Sequence, residues 1–137
     1  MEVIAIKTPI ISERKYVKAF LIELMEVLQS KDFDIDDDLL IIKSQKEEVR
    51  FSTRYTLLDL EYDSHDVVER LKELTIADYS ETLVDLDDEN PPLLFVFGKD
   101  INGRQVYIKL KIKGDTAKRV LCLSFHYAKH EMKFPYK

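Results

Sequence analysis

A chain of 137 residues with 45% hydrophobic and 34% charged side chains has the make-up of one ordinary globular domain, and folding at this length buries roughly two thirds of the surface of the unfolded chain. No stretch approaches the roughly 20 apolar residues that span a bilayer, and the start Met-Glu-Val-Ile-Ala-Ile-Lys lacks the basic first part and apolar core of a signal peptide, so a cytoplasmic protein with no membrane partner is expected. The net charge of −5 argues against indiscriminate nucleic-acid binding, and the single cysteine, Cys122, excludes an internal disulfide and fits a reducing compartment.

Residues 1 to 11 are extended in character, because Pro9 and the β-branched pair Ile10 and Ile11 oppose an early helix. Ser12 stands as an N-cap. After it Tyr16, Val17, Phe20, Leu21, Leu24, Met25 and Leu28 recur at helical spacing and predict one amphipathic helix to about Ser30. The acidic run Asp32 to Asp38 has the first spacings of a calcium loop. It carries Leu39 where that loop needs Gly and Gln45 where it needs a bidentate Glu, so a solvated turn is expected, followed by a short strand Leu39 to Lys43.

A short extended piece from Val49 to Thr53 and a short helix from Arg54 to Leu60 come next. Ser64 then caps a helix striped with Val67, Val68, Leu71 and Leu74, with His65 exposed beside the cap. The segment 75 to 81 reads as a helix exit turning into a strand near 82 to 85. Asp85 to Asn90 is an acidic loop closed by Pro91 and Pro92. No repeat or linker divides the chain, so residues 1–137 form a single domain.

Three longer strands are predicted at 93 to 99, 104 to 113 and 119 to 126. Asn102-Gly103 is a strong hairpin signal and Lys113-Gly114-Asp115 offers a second turn. Hairpin neighbours are antiparallel, so the expectation is an α+β fold, with N-terminal helices packed on one face of a C-terminal antiparallel sheet. In the middle strand Val106, Ile108, Leu110 and Ile112 share one face, while Tyr107, Lys109, Lys111 and Lys113 share the other. In the last strand Leu121, Leu123 and Phe125 are expected inward, which leaves Cys122, Ser124 and His126 on the outer, wet face with Tyr107 and Lys109.

Charge is concentrated on this part of the chain. From Lys99 to Lys137, Lys and Arg outnumber Asp and Glu ten to three, so a local balance of +7 stands against −12 in the first 98 residues. The region has no paired Cys or His, no glycine-rich phosphate loop and no serine elbow, and no metal ion or cofactor is expected. A phosphodiester held by Lys and Arg suits these residues, with Tyr107 or His126 moving a proton. RNA supplies its own nucleophile in the 2′-hydroxyl. Tyr107, His126 and Lys99 are the candidate catalytic residues, with Lys99, Lys109 and Lys111 as phosphate clamps. Arg104, Lys109, Lys111 and Lys129 are the candidate RNA-binding residues. The alternative is a non-catalytic module that uses the same basic face to bind RNA or an acidic protein.

Phe97-Gly98-Lys99, Gly103 to Lys111, Leu123-Ser124-Phe125-His126 and Phe134-Pro135-Tyr136 resemble the motility quorum-sensing regulator family of toxins from bacterial toxin-antitoxin systems. Arg54 to Leu83 is similar as well, so the resemblance spans about residues 49–137 and leaves 1–48 as an N-terminal helix and short strand extension. It implies a RelE-like fold and a sequence-selective, metal-independent mRNA endoribonuclease. The implied partners are mRNA and a silencing antitoxin that carries a helix-turn-helix DNA-binding part. The family's functional tyrosine falls on Tyr107. One functional lysine falls on His126, and another falls on or next to Glu81.

Overall fold

The apolar stripe predicted after Ser12 forms α1, Arg14–Gln29, and buries Val17, Phe20, Leu24, Val27 and Leu28. A computed structural model gives the architecture and describes residues 9–44, 48–84 and 93–137. The expectations for residues 1–8 and for the acidic loop 85–92 lie outside the described residues. In chain order the elements are β1 (Pro9–Ile10), α1, the four-residue α2 (Ile35–Asp38), β2 (Leu39–Ile41), α3 (Thr53–Leu60), α4 (Ser64–Lys72), β3 (Tyr79–Val84), β4 (Leu93–Ile101), β5 (Arg104–Lys113) and β6 (Arg119–Tyr127). Among the described residues no helix is long and apolar enough to cross a membrane.

Local chemistry shifts two predicted caps by one residue. Glu13 rather than Ser12 precedes α1, and Ser12 instead turns its hydroxyl to Thr82, 2.7 Å away in the interior. Asp63 rather than Ser64 caps α4, in a reciprocal capping box with Asp66 that satisfies two backbone N–H groups at once. The acidic run forms α2, not a bare turn, because the Asp34 carboxylate accepts the Asp36 N–H and starts a helical turn.

The strands lie in the order β1-β3-β4-β5-β6-β2. The expected all-antiparallel sheet is corrected here. β2 runs parallel to β6, with Leu39 beside Val120 and Ile41 beside Cys122, so the sheet is mixed. Hairpin turns fix the direction of β4, β5 and β6 only, whereas β2 arrives from far away in the chain. At the β4–β5 turn Asn102 and Gly103 both take positive φ, 52° and 81°, as a two-residue hairpin of matching twist requires.

The helices gather on one face of the sheet. Their buried side chains meet Phe95, Phe97, Ile101, Val106, Ile108, Leu110, Val120, Cys122, Phe125 and Tyr127 in the main core. Where β2 stops, α3 covers the edge of β6. Thr53 Oγ1 accepts the Phe125 N–H at 3.1 Å and Thr56 Oγ1 accepts the Tyr127 N–H at 3.0 Å, so the unpaired edge keeps its hydrogen bonds.

The opposite face is not simply wet. Leu83, Leu94 and Val96 form a second, smaller apolar cluster there with Tyr107, Leu123 and Met132. Residues 128–137 cross this face. Ser80 Oγ donates to the Lys133 carbonyl at 2.7 Å, the Met132 N–H donates to Gln105 Oε1 at 3.3 Å, and the Tyr136 hydroxyl donates to the Ser12 carbonyl at 2.5 Å. Phe134 closes over Gly98, where an added Cβ would stand 2.7 Å from the ring. Glycine is required by that approach, not by its backbone angles.

Candidate functional site

Two β-bulges decide which side chains reach the outer face. On β3, Tyr79 pairs with Phe97 and Glu81 with Val96, so Ser80 is the extra residue. Tyr79 lies in the main core at 0% exposure, and strict alternation would have sent Glu81 after it; the bulge turns Glu81 to the outer side instead. On β6, Leu110 pairs with Cys122 but Lys109 pairs with Ser124, so Leu123 is extra. The inward set expected for β6 is corrected accordingly. Val120 and Cys122 face the core before the bulge and Phe125 and Tyr127 after it, while Leu123 joins the outer cluster. Ser124 and His126 emerge on the outer face because the bulge at Leu123 breaks the strict alternation that would otherwise give them the parity of Cys122. Burial pushes the Cys122 thiol up to about 12, so this cysteine is core packing and not a nucleophile.

Across the sheet the outer residues form two rows. Gly98, Tyr107 and His126 are direct neighbours in one, and Glu81, Val96, Lys109 and Ser124 in the other. Glu81, Tyr107, Lys109, Ser124 and His126 of these rows line an open pocket of about 730 Å³ together with residues 128–135. The Tyr107 and His126 rings are stacked, 5.0 Å between centroids and 13° between planes. His126 Nδ1 lies 2.9 Å from the Tyr127 carbonyl oxygen. A carbonyl only accepts, so Nδ1 carries the proton of the neutral ring and Nε2 is the nitrogen that gains and loses one. Burial first, and then the charge of Glu81, push the Tyr107 phenol up to about 12. Tyr107 therefore stays a neutral hydrogen-bond donor at physiological pH.

The candidate residues divide between the two faces. Tyr107, His126, Lys109 and Lys129 line the pocket. Lys129 also pairs with Glu48 at 2.8 Å. Lys111 faces the same side, opposite Leu121, but is 5% exposed and stands outside the pocket. Lys99 and Arg104 are not brought to the site. Lys99 is opposite Val106, whose side chain is in the main core, and its ammonium pairs with Glu73 at 3.1 Å. The Arg104 guanidinium lies 3.5 Å from the ring centroid of Tyr127, another core-facing residue, whose hydroxyl donates to Asp59 at 2.5 Å. Alternation alone separates both from Tyr107, since Lys99 and Arg104 have the parity of Phe97 and Val106.

Comparison of the chain with protein-family models, curated proteins and solved structures finds no match. The site is therefore read from its own chemistry. Among the described residues no group of three or more His, Cys, Asp and Glu side chains could hold a metal ion. Among the described residues the pocket presents the imidazole of His126 with a defined tautomer and that of His130, the Tyr107 phenol held neutral, ammonium groups from Lys109, Lys129 and Lys133, and the carboxylates of Glu81 and Glu131. Sequence reasoning missed Ser80, Lys133 and the Met132 to Pro135 wall. The sequence had no pattern to reveal them, because a bulge and an irregular crossing have no periodicity.

Proposed function

We propose that this chain is a metal-independent endoribonuclease that cleaves mRNA through the RNA's own 2′-hydroxyl, acting as the toxin of a toxin-antitoxin pair on a RelE-like scaffold in the cytoplasm. The observation that carries this reading is the Tyr107–His126 stack inside a basic pocket. A phosphodiester seated there meets the Lys109 ammonium, which offsets its charge, and the Tyr107 hydroxyl, which donates to a non-bridging oxygen as negative charge builds. His126 Nε2 supplies a proton transfer. The stacked rings also give an unpaired base a flat surface, as single-stranded RNA recognition commonly uses. The antitoxin partner with its helix-turn-helix part rests on the resemblance of residues 49–137 to the motility quorum-sensing regulator family. A neighbouring reading frame that encodes such a protein and neutralises this one is the expected genetic context.

The test is induced expression followed by mapping of RNA ends, in wild type and in Tyr107→Phe and His126→Ala. New cuts and growth arrest in wild type that vanish in His126→Ala support the reading. Absence of new cuts with folded wild-type protein overturns it and leaves a binding module.

A further inference from the structure

Cleavage through the 2′-hydroxyl needs two proton transfers, one at the attacking oxygen and one at the leaving oxygen. His126 is one of the two groups. Tyr107 does not serve as the base, because its phenol holds its proton until about pH 12. The pocket contains a carboxylate that the strand geometry has aimed there. If β3 alternated strictly through Ser80, Glu81 would have the core parity of Tyr79; if β6 alternated strictly through Leu123, His126 would have the core parity of Cys122. Two independent bulges on two different strands thus turn two proton-transfer groups onto one pocket. Bulges recur beside active sites because they re-aim a side chain.

Glu81 and His126 also stand at opposite sides of the outer face. Glu81 pairs with Val96, Val96 with Lys109 and Lys109 with Ser124, two residues before His126 on β6. The backbones of Glu81 and Ser124 are three strand spacings apart, about 14 Å. Lys109 rises between them. Toward Glu81 the intervening β4 residues, Val96 and Gly98, are apolar or lack a side chain.

We propose, on the reading given above, that Glu81 is the general base of the cleavage and His126 the general acid. The Glu81 carboxylate takes the 2′-hydroxyl proton while the 2′-oxygen bonds to phosphorus. The bond from phosphorus to the 5′-oxygen breaks, and His126 Nε2 gives its proton to that leaving oxygen. The products are a 2′,3′-cyclic phosphate and a 5′-hydroxyl, with Glu81 protonated and His126 neutral until solvent resets both. Lys109, between the two, faces the phosphate, and Tyr107 remains a neutral donor. Among the described residues the other charged or titratable groups on this pocket are Lys129, His130, Glu131 and Lys133, all from the C-terminal crossing.

The experiment uses the full chain and a fluorogenic RNA oligonucleotide that spans a mapped cut site. It compares wild type, Glu81→Gln and Glu81→Asp across pH, with the 2′-O-methyl oligonucleotide as the binding probe. Glu81→Gln is expected to lower kcat by about 10²- to 10⁴-fold and to remove the acidic limb of the pH profile, with binding of the 2′-O-methyl RNA held or tightened. Glu81→Asp is expected to keep the acidic limb with part of the rate. Glu81→Gln within a fewfold of wild type with the acidic limb intact overturns the assignment while leaving the nuclease reading standing, and so does equal loss of cleavage and binding. A wild type that does not cleave removes the nuclease reading and this inference together.

Discussion

The Tyr107 ring lies on the His126 imidazole with 5.0 Å between centroids, and the His126 Nδ1–H is engaged by the Tyr127 carbonyl at 2.9 Å. The stack fixes the ring plane and the hydrogen bond fixes the tautomer. Together they give Nε2 a defined direction before any ligand arrives, the preorganisation that positioned proton transfer depends on.

Removing the hydroxyl while keeping the ring separates the two roles of Tyr107. Tyr107→Phe is expected to retain the stack and the thermal midpoint within a few degrees, yet to lower RNA cleavage by about 10²-fold, since one donor to the developing charge is lost. Steady-state kinetics beside a thermal melt checks this. Unchanged kcat would remove the phenol from the reaction.

The division of basic residues between faces makes an equally specific statement. Lys99→Ala and Arg104→Ala are expected to leave cleavage within about threefold of wild type, whereas Lys109→Ala reduces it by at least tenfold. Arg104→Ala has a different cost, about 0.5–2 kcal/mol of stability, through the lost packing on Tyr127. Denaturant unfolding and cleavage assays on the same preparations measure both quantities.

Alkaline pH should weaken the fold over a definite window. Burial chiefly raises Tyr107 and Tyr127 from 10.0, and Cys122 from 9.0, each to about 12, with Glu81 adding to the first and the Asp59 hydrogen bond to the second. Each group keeps its proton longer when folded, so its contribution is whole below the unfolded value and is lost as pH rises toward about 12. Denaturant midpoints should therefore hold at pH 8 and fall between about pH 9 and 12. Tyr107→Phe should flatten part of that fall.

Much of this arrangement was legible in the residues, and the limits have physical causes. Alternation in Val106 to Lys113 fixed both faces of β5, and Asn102-Gly103 located its hairpin, because each is a local pattern. His126 was assigned to the face of Tyr107, but with Leu121 and Leu123 inward and Cys122 outward. The Leu123 bulge reverses those three while leaving Phe125 and His126 as expected. Glu81 fell in an expected helix exit because Ser80 breaks the period of β3. Lys99 and Arg104 flank the hairpin close to Tyr107 in the chain, but their parity is that of the core, so the structure does not bring them to the pocket. The parallel pairing of β2 with β6 is non-local and leaves no short-range signature.

Crowding at Gly98 offers a test of the C-terminal crossing. An added Cβ would come within 2.7 Å of Phe134 and 2.9 Å of the Met132 sulfur. Gly98→Ala is expected to cost about 1–3 kcal/mol and to loosen residues 128–137 from the pocket, lowering activity as well. Adding Phe134→Leu should recover part of the stability. A double-mutant cycle that finds the two changes additive would contradict the contact.

The central claim is tested most directly by incubating purified, folded wild-type protein and His126→Ala with the same RNA in the presence of a metal chelator, and identifying the chemistry of the new ends. The account predicts 2′,3′-cyclic phosphate and 5′-hydroxyl ends from wild type and none from His126→Ala. Intact RNA with the wild type, or equal cleavage by His126→Ala, would contradict it.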